Sequence, residues 1–179
     1  LEQVAEHRPP IVITALGSPK PVIPVVHGYG GLVFADVINI AFAKKAVQAG
    51  VDGLVLVAAG AGGHTGAISG FAFVEEVRKF WDGPIVLGGA ISTGHAIRAA
   101  EILGADLAYL GTSLLACKES MAAEEYKNMV VAARSSISIV SFSKVPSPTA
   151  FINCAKSFFN LGKTTSVSGS PIRQLYSIT

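Results

Sequence analysis

Two junctions in the sequence share one grammar. At Ala49-Gly50-Val51-Asp52-Gly53-Leu54, and again at Leu103-Gly104-Ala105-Asp106-Leu107, a helix-like stretch runs into glycine, a small apolar residue, aspartate and an apolar run. A repeated helix-to-strand joint implies successive βα units, and hence a parallel sheet with right-handed crossovers. Few other folds accept such a repeat, so it constrains the chain more than its composition does.

The rest of the chain fits around the joints. Apolar runs at 11–16, 32–37, 53–58, 85–87 and 107–110 read as five strands. Asn39 is placed to cap a helix over 40–49 that Gly50 ends. Apolar residues at 71, 73, 74, 77, 80 and 81 recur at helical spacing, with Glu75, Glu76, Arg78 and Lys79 outward. Ser92 or Thr93 can cap a further helix over 96–103, and another is expected around 122–133. A closed eight-stranded barrel takes about 250 residues. With 179 residues, the chain is either a five-stranded open sheet or the back portion of a barrel.

Three consecutive strand ends are glycine-rich. The third strand runs into Gly60-Ala61-Gly62-Gly63-His64-Thr65-Gly66, the fourth into Gly88-Gly89-Ala90, and the fifth into Gly111-Thr112. In a βα fold these loops share the carboxyl rim of the sheet, where such folds place their chemistry. Glycine lets backbone approach a ligand closely, and histidine titrates near neutral pH. The loops around Gly89 and Gly111 suit a phosphate held by backbone N–H groups, with the Thr112 hydroxyl as a further donor. Neither GxxxxGK[ST] nor GxGxxG is present, which argues against a nucleotide triphosphate or a Rossmann dinucleotide.

Half the residues are hydrophobic and 15% are charged, as expected for strands buried on both faces. No apolar run reaches the ~18 residues of a membrane span, and the first residues do not read as a signal peptide. The two cysteines, Cys117 and Cys154, have neither metal nor redox spacing, so a reducing cytoplasm is expected. No His, Cys or carboxylate pair has metal-ligand spacing. All 12 acidic residues precede Arg134, and the last 45 residues hold 11 serines and four dispersed cations. Four scattered charges make no nucleic-acid patch.

Taken together, Ala61-Gly62-Gly63-His64-Thr65-Gly66, Gly88-Gly89-Ala90-Ile91-Ser92, Gly104-Ala105-Asp106 and Leu110-Gly111-Thr112 resemble the FMN-dependent nitronate monooxygenases, formerly called 2-nitropropane dioxygenases. Their order and spacing agree from about Arg8 to Ala133. The resemblance implies an α/β fold of TIM type, a (β/α) barrel here incomplete with about five βα units. Residues 1–134 would form the carboxyl-side part of that barrel. It also implies oxidation of alkyl nitronates by O₂ to a carbonyl compound and nitrite, with a nitronate or nitroalkane as small-molecule substrate and neither nucleic acid nor membrane as partner. His64 matches the active-site histidine beside the flavin, acting as base on the nitroalkane α-carbon or holding the nitronate oxygens. Gly63 would admit the flavin; Gly89 and Ala90 match the paired glycines on the FMN phosphate, and Gly111 and Thr112 the second phosphate loop.

The sequence departs from the family in four places. Ala90 stands where the family usually has glycine, adding a methyl while keeping a backbone donor. Tyr109 stands where many members carry Gln. The family's first strands are expected to precede Leu1, so the chain would open at about the fourth strand. The tail, 135–179, also departs, and 151–159 has no clear partner in the family; a shifted reading frame near Ser135 or a divergent, partly disordered tail accounts for it, and an uninterrupted coding frame would exclude the former.

The nearest alternative resemblance is the FMN-dependent enoyl-acyl-carrier-protein reductase, which uses NAD(P)H. An IMP dehydrogenase-like enzyme needs a catalytic cysteine in a loop after a strand, and Cys117 is badly placed for that. A reading of another class is an inactive fragment, whose open strand edge would be covered by association into a homo-oligomer. Of the remaining polar residues, His7 reads as exposed, His27 as part of a flexible glycine turn, and His95 as the first turn of a helix. Asp36 ends a strand on the catalytic side, with a site role and a helix-capping role both open.

Overall fold

The computed structural model describes residues 1–132 and the backbone of Tyr176–Ile178. Two compact units divide the chain. One comprises Leu1–Tyr109 with Leu175–Thr179, the other Leu110–Gln174. The sequence-based boundary at 134/135 falls inside the second unit, and the suggested frame change near Ser135 lies outside the described residues.

In the first unit the strands are β1 (Ile11–Thr14), β2 (Leu32–Val37), β3 (Gly53–Val57), β4 (Ile85–Gly88) and β5 (Leu107–Tyr109), joined on the far side of β1 by β6 (Tyr176–Ile178). The sheet order is β5-β4-β3-β2-β1-β6 and every pairing is parallel. From β1 to β5 the spatial order is the sequence order, with no reversal. A doubly wound sheet reverses its order at a switch point; a single winding direction belongs to an arc of a barrel.

The two sheet faces confirm the arc. Val33, Ala35, Val37, Leu54, Leu56 and Leu87 belong to a core shared with helix residues such as Ala43, Phe73, Val77 and Ala100. The helices are α3 (Ile40–Ala49), α4 (Gly70–Arg78) and α5 (Gly94–Ile102). The other face, with Ile11, Ile13, Phe34, Val55 and Val86, clusters strand residues only. Helices on one face and strand side chains alone on the other is the layering of a TIM-type barrel wall. Burying one such aliphatic or aromatic side chain contributes about 1.5–3 kcal/mol.

The helix ends follow from their caps. Asn39 Oδ1 accepts from the Phe42 N–H at 2.8 Å, and Gly50 ends α3 with φ +92°. Ser69 caps α4, and Thr93 rather than Ser92 caps α5, its Oγ1 accepting from the Ala96 N–H at 3.2 Å. Two short helices of the first unit escape the sequence reading: α1 (Glu2–His7) and α2 (Ile23–His27). Too brief to show periodicity, α2 also carries a proline in its first turn. His27 is thus the last residue of a helix, not part of a flexible turn.

The aspartates of the repeated joint explain its grammar. Asp52 Oδ2 accepts from the Val33 N–H at 2.8 Å and meets His27 Nε2 at 2.8 Å. Asp106 Oδ2 accepts from the Ile85 N–H at 2.7 Å and from Arg78 Nη2 at 2.8 Å. Each aspartate precedes one strand and ties down the start of its neighbour. Each also takes a basic residue from the helix before that neighbour. Both clips lie on the amino rim.

Candidate active site

On the opposite rim, β3 runs into the glycine–histidine loop, and that loop is fastened on both sides. Ala58 N–H donates to the Gly88 carbonyl at 2.8 Å and Ala90 N–H to the Gly60 carbonyl at 3.0 Å, which joins it to the turn after β4. Gly66 N–H donates back to the Val57 carbonyl at 3.1 Å, and the Thr65 hydroxyl to the Ala58 carbonyl at 2.9 Å. A Cβ on Gly66 would lie 2.6 Å from both the Ile38 and Val57 carbonyl oxygens. The loop therefore returns to the sheet directly over the ends of β2 and β3.

These contacts sort the glycines by purpose. Gly60 (φ +93°) and Gly89 (φ +122°) occupy left-handed backbone, and a Cβ on Gly89 would meet the Ala58 carbonyl oxygen at 2.8 Å. The fold itself demands glycine at 60, 66 and 89. Gly63 differs: its φ is not left-handed, and a Cβ there would find nothing within 4 Å. Next to it His64 is exposed, its imidazole without a hydrogen-bond partner among the described residues. A bare stretch of backbone beside a free imidazole leaves room for a flat ring to lie close, and this fits a flavin.

The phosphate loop is less simple than its sequence implies. Ala90 adopts φ +55°, a left-handed conformation that costs an L-residue roughly 1–2 kcal/mol. Its N–H, expected to survive as a donor, is already taken by the Gly60 carbonyl. The first turn of α5 follows this loop. The N–H groups of Gly94 and His95 have no acceptor among the described residues, whereas Ala96 N–H is held by Thr93. Free N–H groups in the first turn of a helix are of the kind that receive an anion. Gly94 was not singled out from the sequence, although a glycine directly after a capping threonine is a readable signal. His95 is exposed. Gly111 and Thr112 lie in the second unit, where Thr112 begins α6 (Thr112–Leu115), both residues exposed.

Asp36 is the one carboxyl near this rim with a perturbed proton affinity. It is the penultimate residue of β2, and Asn39, not Asp36, caps α3. Its Oδ1 is buried and has no partner among the described residues, and burial pushes its pKa from 3.8 up to about 6. Among the described residues no cluster of His, Cys, Asp or Glu is arranged to hold a metal ion.

The model of the nitronate monooxygenase family matches residues 1–146. The chain belongs to that family. The nitronate monooxygenase of Paraburkholderia phytofirmans is 32% identical over 136 residues, covering 70% of this chain and 37% of that protein. Among solved structures, FabK from Thermotoga maritima matches with a TM-score of 0.67 at 28% identity, over 74% of this chain and 42% of its own. Nitroalkane oxidase from Streptomyces ansochromogenes matches with a TM-score of 0.66 at 30% identity, over 70% of this chain and 40% of its own. The chain thus spans about two fifths of the length of these relatives. No described helix of this nitronate monooxygenase family member is long and apolar enough to cross a membrane.

Proposed function

We propose that this chain forms part of an FMN-dependent enzyme that oxidises alkyl nitronates with O₂ to a carbonyl compound and nitrite. The observation that carries the reading is the carboxyl end of β3, where an unpartnered His64 follows a glycine that nothing in the chain's own packing requires. FMN, when bound, supplies the electron transfer; the protein supplies position. Gly63 admits the ring. The His64 imidazole faces the substrate and holds the nitronate oxygens, as donor when protonated. Gly89 fixes the turn that carries Ala90, and the phosphate is received on the Gly94 and His95 N–H groups at the start of α5. Gly111 and Thr112 are assigned to the second phosphate loop on the sequence resemblance alone. A cytoplasmic setting and a homo-oligomer complete the reading.

The test is a titration of the chain with FMN followed by flavin fluorescence, then nitrite release from a preformed nitronate under air. Saturable binding weakened by inorganic phosphate, with nitrite formation lost in His64→Ala, is the expected result. A folded chain that ignores FMN would defeat the reading. Rapid anaerobic reduction of the bound FMN by NAD(P)H, without nitrite release, would favour the enoyl-acyl-carrier-protein reductase instead.

A further inference from the structure

We propose that the outer edge of β1 is a strand-accepting surface, that residues 176–178 guard it, and that its partner once the guard is lifted is the β1 edge of a second copy of this chain. The proposal stands apart from the chemistry proposed above. β1 has two strand neighbours. β2 pairs with all four of its residues, Ile11 to Thr14, and β6 pairs on the other side at Val12↔Tyr176, Ile13↔Ser177 and Thr14↔Ile178. Both flat faces of β1 are already occupied: Ile11 and Ile13 pack into the strand-only cluster, and Val12 into the core shared with the helices. The Thr14 hydroxyl donates to the Phe34 carbonyl of β2 at 3.2 Å. What remains of β1 is its backbone edge opposite β2, and β6 takes it.

The edge under β6 has no protection of its own. Proteins blunt exposed edges with charges, with proline inside the strand or with a bulge. β1 reads Ile-Val-Ile-Thr, without a charge; Pro9 and Pro10 stop short of it, and its register with β2 runs one to one. Four β-branched residues in a row are strong strand formers, and a bare edge of this composition is a template for another strand. The guard is not part of what the family shares. β6 lies beyond residue 146, where the family match ends, yet Leu175–Thr179 belong to the first compact unit.

Symmetry names the partner. A two-fold axis at this edge sets β1 antiparallel to its own copy, so that one row of donors and acceptors serves both sides. An antiparallel ladder is slightly more stable per residue than a parallel one, and it has all four residues of β1 to use, whereas β6 offers three parallel pairs. The advantage of β6 is its tether: a segment of the same chain competes at a high effective concentration. Association of the intact chain therefore runs through another surface.

The test uses the full chain and the double variant Ser177→Pro/Ile178→Pro. Successive N–H groups of a strand point to opposite sides, so the pair removes a ladder donor to β1 whichever way β6 is phased. Amide hydrogen exchange over residues 11–14, read by mass spectrometry, is followed together with the light-scattering mass across a dilution series. In the unsubstituted chain the β1 amides should stay protected at every concentration. In the dilute double variant those that faced β6 should exchange at least about tenfold faster. As its concentration rises, protection should return and the mass should reach about twice that of the unsubstituted chain. Unchanged exchange in the dilute variant would mean that β6 is not the cover. An unchanged mass, or a larger mass with residues 11–14 still exchanging fast, would mean that the bare edge does not take a second copy. Each of these overturns the proposal. Should the prolines prevent folding by circular dichroism, glycines at 176, 177 and 178 weaken the strand instead, and the same outcomes decide.

Discussion

Single side chains on this protein carry measurable consequences. The native Asp36 carboxyl keeps its proton up to about pH 6, while in the unfolded chain it loses it near 3.8. Between those values the native state binds more protons, so stability falls as pH rises through that window, by up to about 3 kcal/mol. Asp36→Asn should flatten that slope, as read from urea midpoints at pH 4 and pH 7, and leave the protein no less stable at pH 7. Ala90 offers a second case. Its left-handed backbone costs more than the extra chain entropy that glycine brings, so Ala90→Gly should stabilise the fold by about 0.5–1 kcal/mol, visible as a raised Tm. Sequence alone marks Ala90 as a departure from the family. It does not reveal that the residue's N–H is committed to Gly60, because that bond joins two loops separated by a whole βα unit.

At the scale of elements, the two aspartate clips and the glycine loop divide the work. Removing the Asp106 carboxylate strands the Ile85 N–H, so Asp106→Ala should cost about 1–3 kcal/mol in denaturant unfolding. Asp106→Asn keeps an acceptor and loses only the ion pair with Arg78, whose partner is half exposed, so its cost should stay below about 1 kcal/mol. In the loop, Gly66→Ala would force a Cβ against two carbonyl oxygens and should destabilise by about 1–3 kcal/mol. Gly63→Ala meets no atom of the chain; its Tm should not move, while FMN affinity falls. β2 and α3 were legible in full, because Asn39 and Gly50 punctuate an unambiguous apolar pattern. The Asp52 and Asp106 positions were visible as a repeat, but their role was not, since the acceptor geometry exists only once two strands lie side by side. α1 and α2 were missed because five or six residues hold too little of a helical period.

From β1 to β5 the first unit is one arc of parallel strands wound in a single direction. Ligand that binds the native state alone stabilises it by mass action, about 2.7 kcal/mol at a hundredfold excess over Kd. Saturating FMN should therefore raise the Tm of the chain, and millimolar inorganic phosphate should reduce that rise if the α5 terminus receives the phosphate. A Tm indifferent to FMN would argue that this arc does not hold the cofactor. The edge strand β5 leaves Leu107 and Tyr109 about 40% exposed. The placement of the clips has a further consequence. The aspartate clips lie on one rim, and the loop that we propose meets substrate lies on the other, with the length of each strand between them. A change at Gly63 or His64 therefore leaves both aspartate joints untouched, so the small molecule received can change without the fold being re-made.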